Sequence, residues 1–160
     1  MAQSSWGGQE RRASGRRIYE GRILNLRVDE VTMPSGRTAE REVVEHRSAV
    51  GILALTGRDS VLLARQYRYA VGEETLEVCA GLIEPGEDPR AAAERELQEE
   101  LGVKPGRLQE VGGFYSSPGF CTEYLTLFLA DELQSSRLPQ DEDETRARLL
   151  ARLDAQLDDA

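Results

Sequence analysis

The chain has 160 residues, 39% of them hydrophobic, with 15 Gly, which predicts one folded domain of ordinary size and excludes wholesale disorder. Its 29 acids outweigh 20 bases, a formal charge of −9, which argues against nucleic acid as a partner, because that affinity comes from Lys and Arg on phosphates. No apolar run approaches the roughly 18 residues of a spanning helix, and two Cys and one His are too few for a disulfide framework or a His-rich zinc site.

Residues 1–17 are rich in Ser, Gly and Arg and lack periodicity, so a flexible arm is expected there. With no apolar stretch behind its four Arg, this segment does not read as a secretory signal, and a soluble cytoplasmic protein without membrane contact is expected. Leu24, Leu26 and Val28 alternate as in a strand, Pro34-Ser35-Gly36 signals a turn, and Thr38–His46 returns as the second half of a hairpin. Ala49–Leu55 is a continuous apolar run typical of a buried central strand. Further strands are expected at Val61–Gln66, Leu76–Ala80, Leu108–Tyr115 and Tyr124–Ala130, with a turn-rich loop at Ser116–Phe120.

The clearest helix spans residues 89–101. Asp88 suits the N-cap and Pro89 the first helical position. Ala93, Leu97 and Leu101 give one apolar stripe, and Gly102 suits a left-handed C-terminal cap. Near the C-terminus, Leu149, Leu150, Leu153 and Leu157 fit one helix face, while Ala147–Ala151 also fits a last strand.

Acidic charge concentrates in two places. The run Asp141–Glu144 lacks ligand spacing and is expected to be a solvated surface. On the helix, by contrast, Glu96, Glu99 and Glu100 stand at i, i+3 and i+4 and share a face, where like charges repel. A hard divalent cation relieves that repulsion, since carboxylate oxygens are its preferred ligands. Glu87 lies just before the helix, and the Gly81–Gly86 loop can bring a backbone carbonyl to the ion. Ions held this way clamp phosphate oxygens and lower the pKa of bound water. They also let an acidic site accept an anionic substrate.

Gly81–Val103 reads GLIEPGEDPRAAAERELQEELGV and resembles the Nudix box, G-x5-E-x7-R-E-U-x-E-E-x-G-U with U aliphatic. Gly81, Glu87, Arg95, Glu96, Leu97, Glu99, Glu100, Gly102 and Val103 fill every specified position. Tyr19–Ile23, Arg65–Arg68, Leu76-Glu77 and Ser117-Pro118-Gly119 extend the likeness to the ADP-ribose pyrophosphatase branch of the Nudix hydrolases, over about residues 17–145. That branch usually enters the box as Pro-Ala-Gly; here Cys79-Ala80-Gly81 stands instead, with Cys79 expected as a buried small hydrophobe.

The resemblance implies an α/β fold, a Nudix α/β/α sandwich with a mixed central sheet from residues 49–56, 60–66, 76–80 and 108–130, plus a separate N-terminal antiparallel sheet. Residues 18–48 would be N-terminal strands of the kind exchanged between subunits of a homodimer, and residues 49–160 the Nudix domain. It implies hydrolysis of ADP-ribose or a related ADP-sugar to AMP and ribose 5-phosphate, with Mg2+ as cofactor and Mn2+ able to substitute. Glu96 and Glu100 would be principal metal ligands, joined by Glu99 and the Ala80 carbonyl. Glu87 would support the helix through Arg95 or bind a further ion, and Arg95 would orient carboxylates or serve the fold. Glu123 would be the general base or the group positioning the attacking water. Arg68 would clamp the diphosphate, Ser117 and Gly119 would line the terminal ribose, Arg22 and Ile23 would lie near the adenine, and Glu84 joins the substrate-binding set. His46 is expected to be structural. Two alternatives remain at this stage: a Nudix diphosphatase for another nucleoside diphosphate sugar, flavin or dinucleotide, and a non-catalytic ADP-ribose-sensing module.

Overall fold

A computed structural model describes residues 8–57, 60–136 and 147–152. The chain divides into two compact units, one of Met1–Arg47 with Tyr115–Tyr124, the other of Ser48–Phe114 with Leu125–Ala160.

In the first unit, β1 (Arg11–Glu20), β2 (Leu24–Thr32) and β3 (Thr38–His46) form an antiparallel sheet in that order. The β2–β3 hairpin is the expected one, and it turns where Gly36, at φ +82°, donates its N–H to the Met33 carbonyl at 2.9 Å. β1 corrects the expectation of an arm, since Arg11–Arg17 are its first seven residues. Every side chain of β1 is exposed, so it carries no apolar periodicity to read. Backbone pairing to β2 and ion pairs across the sheet hold it instead. Arg12 Nε lies 2.9 Å from Oδ1 of Asp29, which is only 4% exposed, and Arg27 Nε lies 2.8 Å from the other oxygen. Arg17 and Arg27 both pair with Glu45.

In the second unit, β4 (Ala49–Leu55) is central, as its unbroken apolar run predicts. It pairs antiparallel with β5 (Ser60–Arg68) and β7 (Cys79–Leu82) and parallel with β10 (Tyr124–Asp131). β6 (Glu73–Glu77) pairs with β5, and β9 (Arg107–Tyr115) with β10. The expected single strand Leu76–Ala80 is therefore two strands, because the chain crosses at Val78 from the edge of β5 to the edge of β4. β8 (Val103–Lys104) and β11 (Gln134–Ser135) make a small ladder. Of the segment that fits both helix and strand, Ala147–Arg152 forms β12, antiparallel to β5, and Leu153 and Leu157 lie outside the described residues. The Asp141–Glu144 run lies outside the described residues.

The one helix among the described residues is α1 (Pro89–Glu100). Asp88 caps it by accepting from the N–H groups of Arg90 (2.9 Å) and Ala91 (3.3 Å), and Gly102, at φ +63°, turns the chain out. Ala92, Ala93 and Leu97 are fully buried against Val50, Ile52 and Cys79, giving an α/β unit with a mixed sheet. Cys79 is thus the buried small hydrophobe expected of it. Among the described residues no helix is long and apolar enough to cross a membrane.

This packing fixes α1 against β7. Leu97→Ala removes a fully buried side chain and is expected to cost about 2–5 kcal/mol in urea unfolding; a loss under about 1 kcal/mol would mean that Leu97 does not anchor the helix.

Candidate active site

The carboxylates of α1 do not all face water. Glu96 and Glu100 are each 7% exposed, so the stripe packed on the sheet carries two acids beside its apolar residues. They meet the backbone of β7. The Ala80 N–H donates to Glu100 Oε2 at 3.3 Å, and a Cβ built on Gly81 would collide with the Glu96 carboxylate. Gly81 therefore has a steric duty: without a side chain it lets Glu96 lie flat against the strand. Glu99, one residue before Glu100, is one-third exposed.

Arg95 gathers the rest. Its Nε and one terminal nitrogen donate to the two oxygens of Glu87 at 2.9 and 3.0 Å. The other terminal nitrogen reaches Glu96 at 2.6 Å and Glu99 at 2.9 Å, and the Leu82 carbonyl accepts a further bond at 3.0 Å. The guanidinium holds the Glu87 carboxyl below the usual carboxylate range, and Glu87, followed by Glu96 and Glu99, raises the pKa of Arg95. Because the Glu87 value is lowered, the tether is intact above the ordinary carboxylate pKa and is lost only as pH falls through the lowered value. Glu87 also accepts the Glu84 N–H at 2.9 Å, which closes the loop leading into α1.

Among the described residues no three acidic side chains converge as a ready-made cation cage, because Arg95 stands between Glu87, Glu96 and Glu99. The donor chemistry nonetheless fits a hard divalent cation: two buried carboxylates, a third at the rim, and strand backbone opened by a glycine.

The other sequence-predicted site residues are described within their own units. Arg68, at the end of β5, forms a bidentate pair with Glu77 across the β5–β6 hairpin, with its Nε at 2.7 Å. In the first unit, Arg22 and Ile23 line a cavity of about 370 Å³ with Gly21, Asn25, Glu45, His46 and Arg47. Ser117 and Gly119 sit in a loop whose base closes where the Ser116 N–H donates to the Glu123 carbonyl at 3.2 Å. A larger hollow of about 630 Å³ beside the Arg107–Asp131 pair is lined by none of these residues. The sequence reading did not anticipate the Ala80 amide, the Leu82 carbonyl, or Glu77 as the partner of Arg68; backbone groups and cross-strand partners carry no signal of their own in a single sequence.

Comparison with known proteins finds relatives over most of the chain. The NUDIX domain family matches residues 45–159, and the nucleoside diphosphate sugar hydrolase N-terminal domain matches residues 10–44. An ADP-ribose pyrophosphatase of Bacillus subtilis is 36% identical over 138 residues, 85% of this chain and 75% of that protein. A methanol dehydrogenase activator of Bacillus methanolicus is 37% identical over the same shares of both chains. A solved structure described as an ADP compounds hydrolase shares the fold at a TM-score of 0.84 with 24% identity, covering 94% of this chain and 82% of that one.

Gly81→Ala places a methyl group where the Glu96 carboxylate lies, and that flexible side chain can swing away without unfolding the protein. The apparent affinity for a titrated divalent cation is expected to fall about 10- to 100-fold by calorimetry, with the melting temperature within a few degrees of wild type. Unchanged affinity would separate Gly81 from the cation site.

Proposed function

The chain belongs to the Nudix family, and from that premise we propose that it hydrolyses the diphosphate bond of ADP-ribose, releasing AMP and ribose 5-phosphate. The observation that carries the reading is the pair of buried carboxylates, Glu96 and Glu100, held against the backbone of β7. A substrate that brings its own negative charge to so acidic a seam needs a cation between the two. The named activity of the Bacillus subtilis relative supports ADP-ribose as the nucleotide.

Glu96 and Glu100 would hold Mg2+, with Glu99, Glu87 and the Ala80 carbonyl available to complete its shell. Bound there, the ion would neutralise phosphate oxygens and acidify a bound water. Arg95 keeps Glu87, Glu96 and Glu99 from relaxing away from one another, at the cost of occupying some of their oxygens. Arg68 would grip the diphosphate through its planar donors, with Glu77 holding the guanidinium in line until substrate arrives. Glu123 accepts the proton of the attacking water. The new P–O bond forms as the bridging P–O bond breaks, so that one phosphate leaves with each product. Arg22 and Ile23 would receive the adenine, Ser117 and Gly119 the terminal ribose, and Glu84 a polar group of the substrate. The reading includes a cytoplasmic homodimer.

The test is AMP release from ADP-ribose followed by chromatography. Magnesium is expected to be required, and excess chelator to stop the reaction. Glu96→Gln and Glu100→Gln are each expected to lower kcat about 100- to 1000-fold with the fold retained. Wild-type turnover in both variants would remove these residues from the site. Tight binding without turnover would make the protein a sensor, and faster release from GDP- or UDP-sugars would change the substrate.

A further inference from the structure

The chain contains one histidine, and no step above uses it. His46 ends β3, and its ring is set among acceptors: Nδ1 lies 2.8 Å from the Arg47 carbonyl oxygen and 3.2 Å from Glu123 Oε1. A carbonyl oxygen cannot donate, and an ionised carboxylate is acceptor-only, so Nδ1 must carry the hydrogen in the neutral ring. The ring is 18% and the Glu123 side chain 24% exposed, so both are largely shielded from solvent.

The backbone around the pair is fastened independently of the ring. The Val44 N–H donates to the Phe120 carbonyl at 2.8 Å, and the Thr122 N–H to the Val44 carbonyl at 3.0 Å. The Thr122 hydroxyl lies 2.9 Å from the His46 N–H and 3.1 Å from the His46 carbonyl. At the loop base, Tyr115 and Tyr124 meet edge to face at 5.0 Å between centroids. The loop that carries Glu123 is thereby registered on the end of β3 by bonds that do not involve its carboxylate. His46 Nδ1, whose hydrogen bond runs to the Arg47 carbonyl, lies 3.2 Å from that carboxylate.

We propose that His46 is a positioning residue for Glu123: its Nδ1–H, shared between the Arg47 carbonyl and the carboxylate, fixes the orientation in which Glu123 receives the proton of the attacking water. This rests on the reading of Glu123 as the base, and the experiment keeps the two apart. His46→Leu preserves bulk and the backbone bonds but removes the donor. His46→Asn places an amide N–H close to the position of Nδ1. In the folded full-length protein with Mg2+ and ADP-ribose, His46→Leu is expected to lower kcat about 10- to 100-fold with KM within about twofold. His46→Asn is expected to recover most of that loss. In a Glu123→Gln background, His46→Leu is expected to cost little more, because the group it positions is already gone. In the 15N spectrum of the unmutated protein, the single imidazole is expected to show a protonated Nδ1 and a bare Nε2.

Wild-type turnover in His46→Leu beside a slow Glu123→Gln overturns the inference while leaving the base in place. Equal losses in the Leu and Asn variants, fully multiplying effects in the double variant, or an Nε2–H tautomer overturn it as well. Wild-type turnover in Glu123→Gln overturns the reading of the base itself, and the inference with it.

Discussion

The second unit depends on how it compensates acids on the buried side of a helix. Glu96 and Glu100 lie on the same stripe of α1 as Ala93 and Leu97, and burying a carboxylate without a partner is costly. Two devices make it tolerable. Backbone is brought within reach, through the Ala80 amide and the bare Cα of Gly81. Arg95 bridges three acids and a strand carbonyl with one planar group. A helix built for stability alone would place leucine at these positions. Retaining acids there makes sense if something positive enters later, which is why the constraint points to chemistry rather than to packing.

The first unit shows a different economy. Its sheet is joined by arginine–carboxylate pairs rather than by a large apolar face: Asp29 is shared by Arg12 and Arg27, and Glu45 by Arg17 and Arg27. The same unit anchors the 116–123 loop on β3 by main-chain bonds. Positions of loop residues such as Ser117 and Glu123 therefore follow from strand register, not from packing of their own side chains.

What the sequence revealed follows the range of the interactions. The helix was legible because its cap, proline, alanines and terminal glycine act within a few residues of one another. β4 was legible because a strand with neighbours on both edges tends to be apolar throughout. β1 was not, since none of its side chains is buried and its partners Asp29 and Glu45 lie far along the chain. The division of β6 from β7 was hidden because periodicity does not say which edge a strand joins. Within the site, Glu87, Arg95, Glu96 and Glu99 were grouped by spacing and are found bonded together. The pairs Arg68–Glu77 and His46–Glu123 depend on strands and loops meeting in space, and spacing alone could not supply them.

The parallel pairing of β4 with β10 also bears on how the chain assembles. Leu125 sits beside Ala49, 76 positions earlier, and β10 lies between β4 and β9 in the sheet. A nascent chain that has emerged only as far as α1 can form local hairpins, yet one edge of β4 stays open until the second half is synthesised. Closing so long a loop has an entropic cost before any contact repays it, so topology puts this step late on the folding pathway. Until then a strongly apolar strand is unprotected, and this is the interval in which the growing polypeptide most needs shielding from its neighbours.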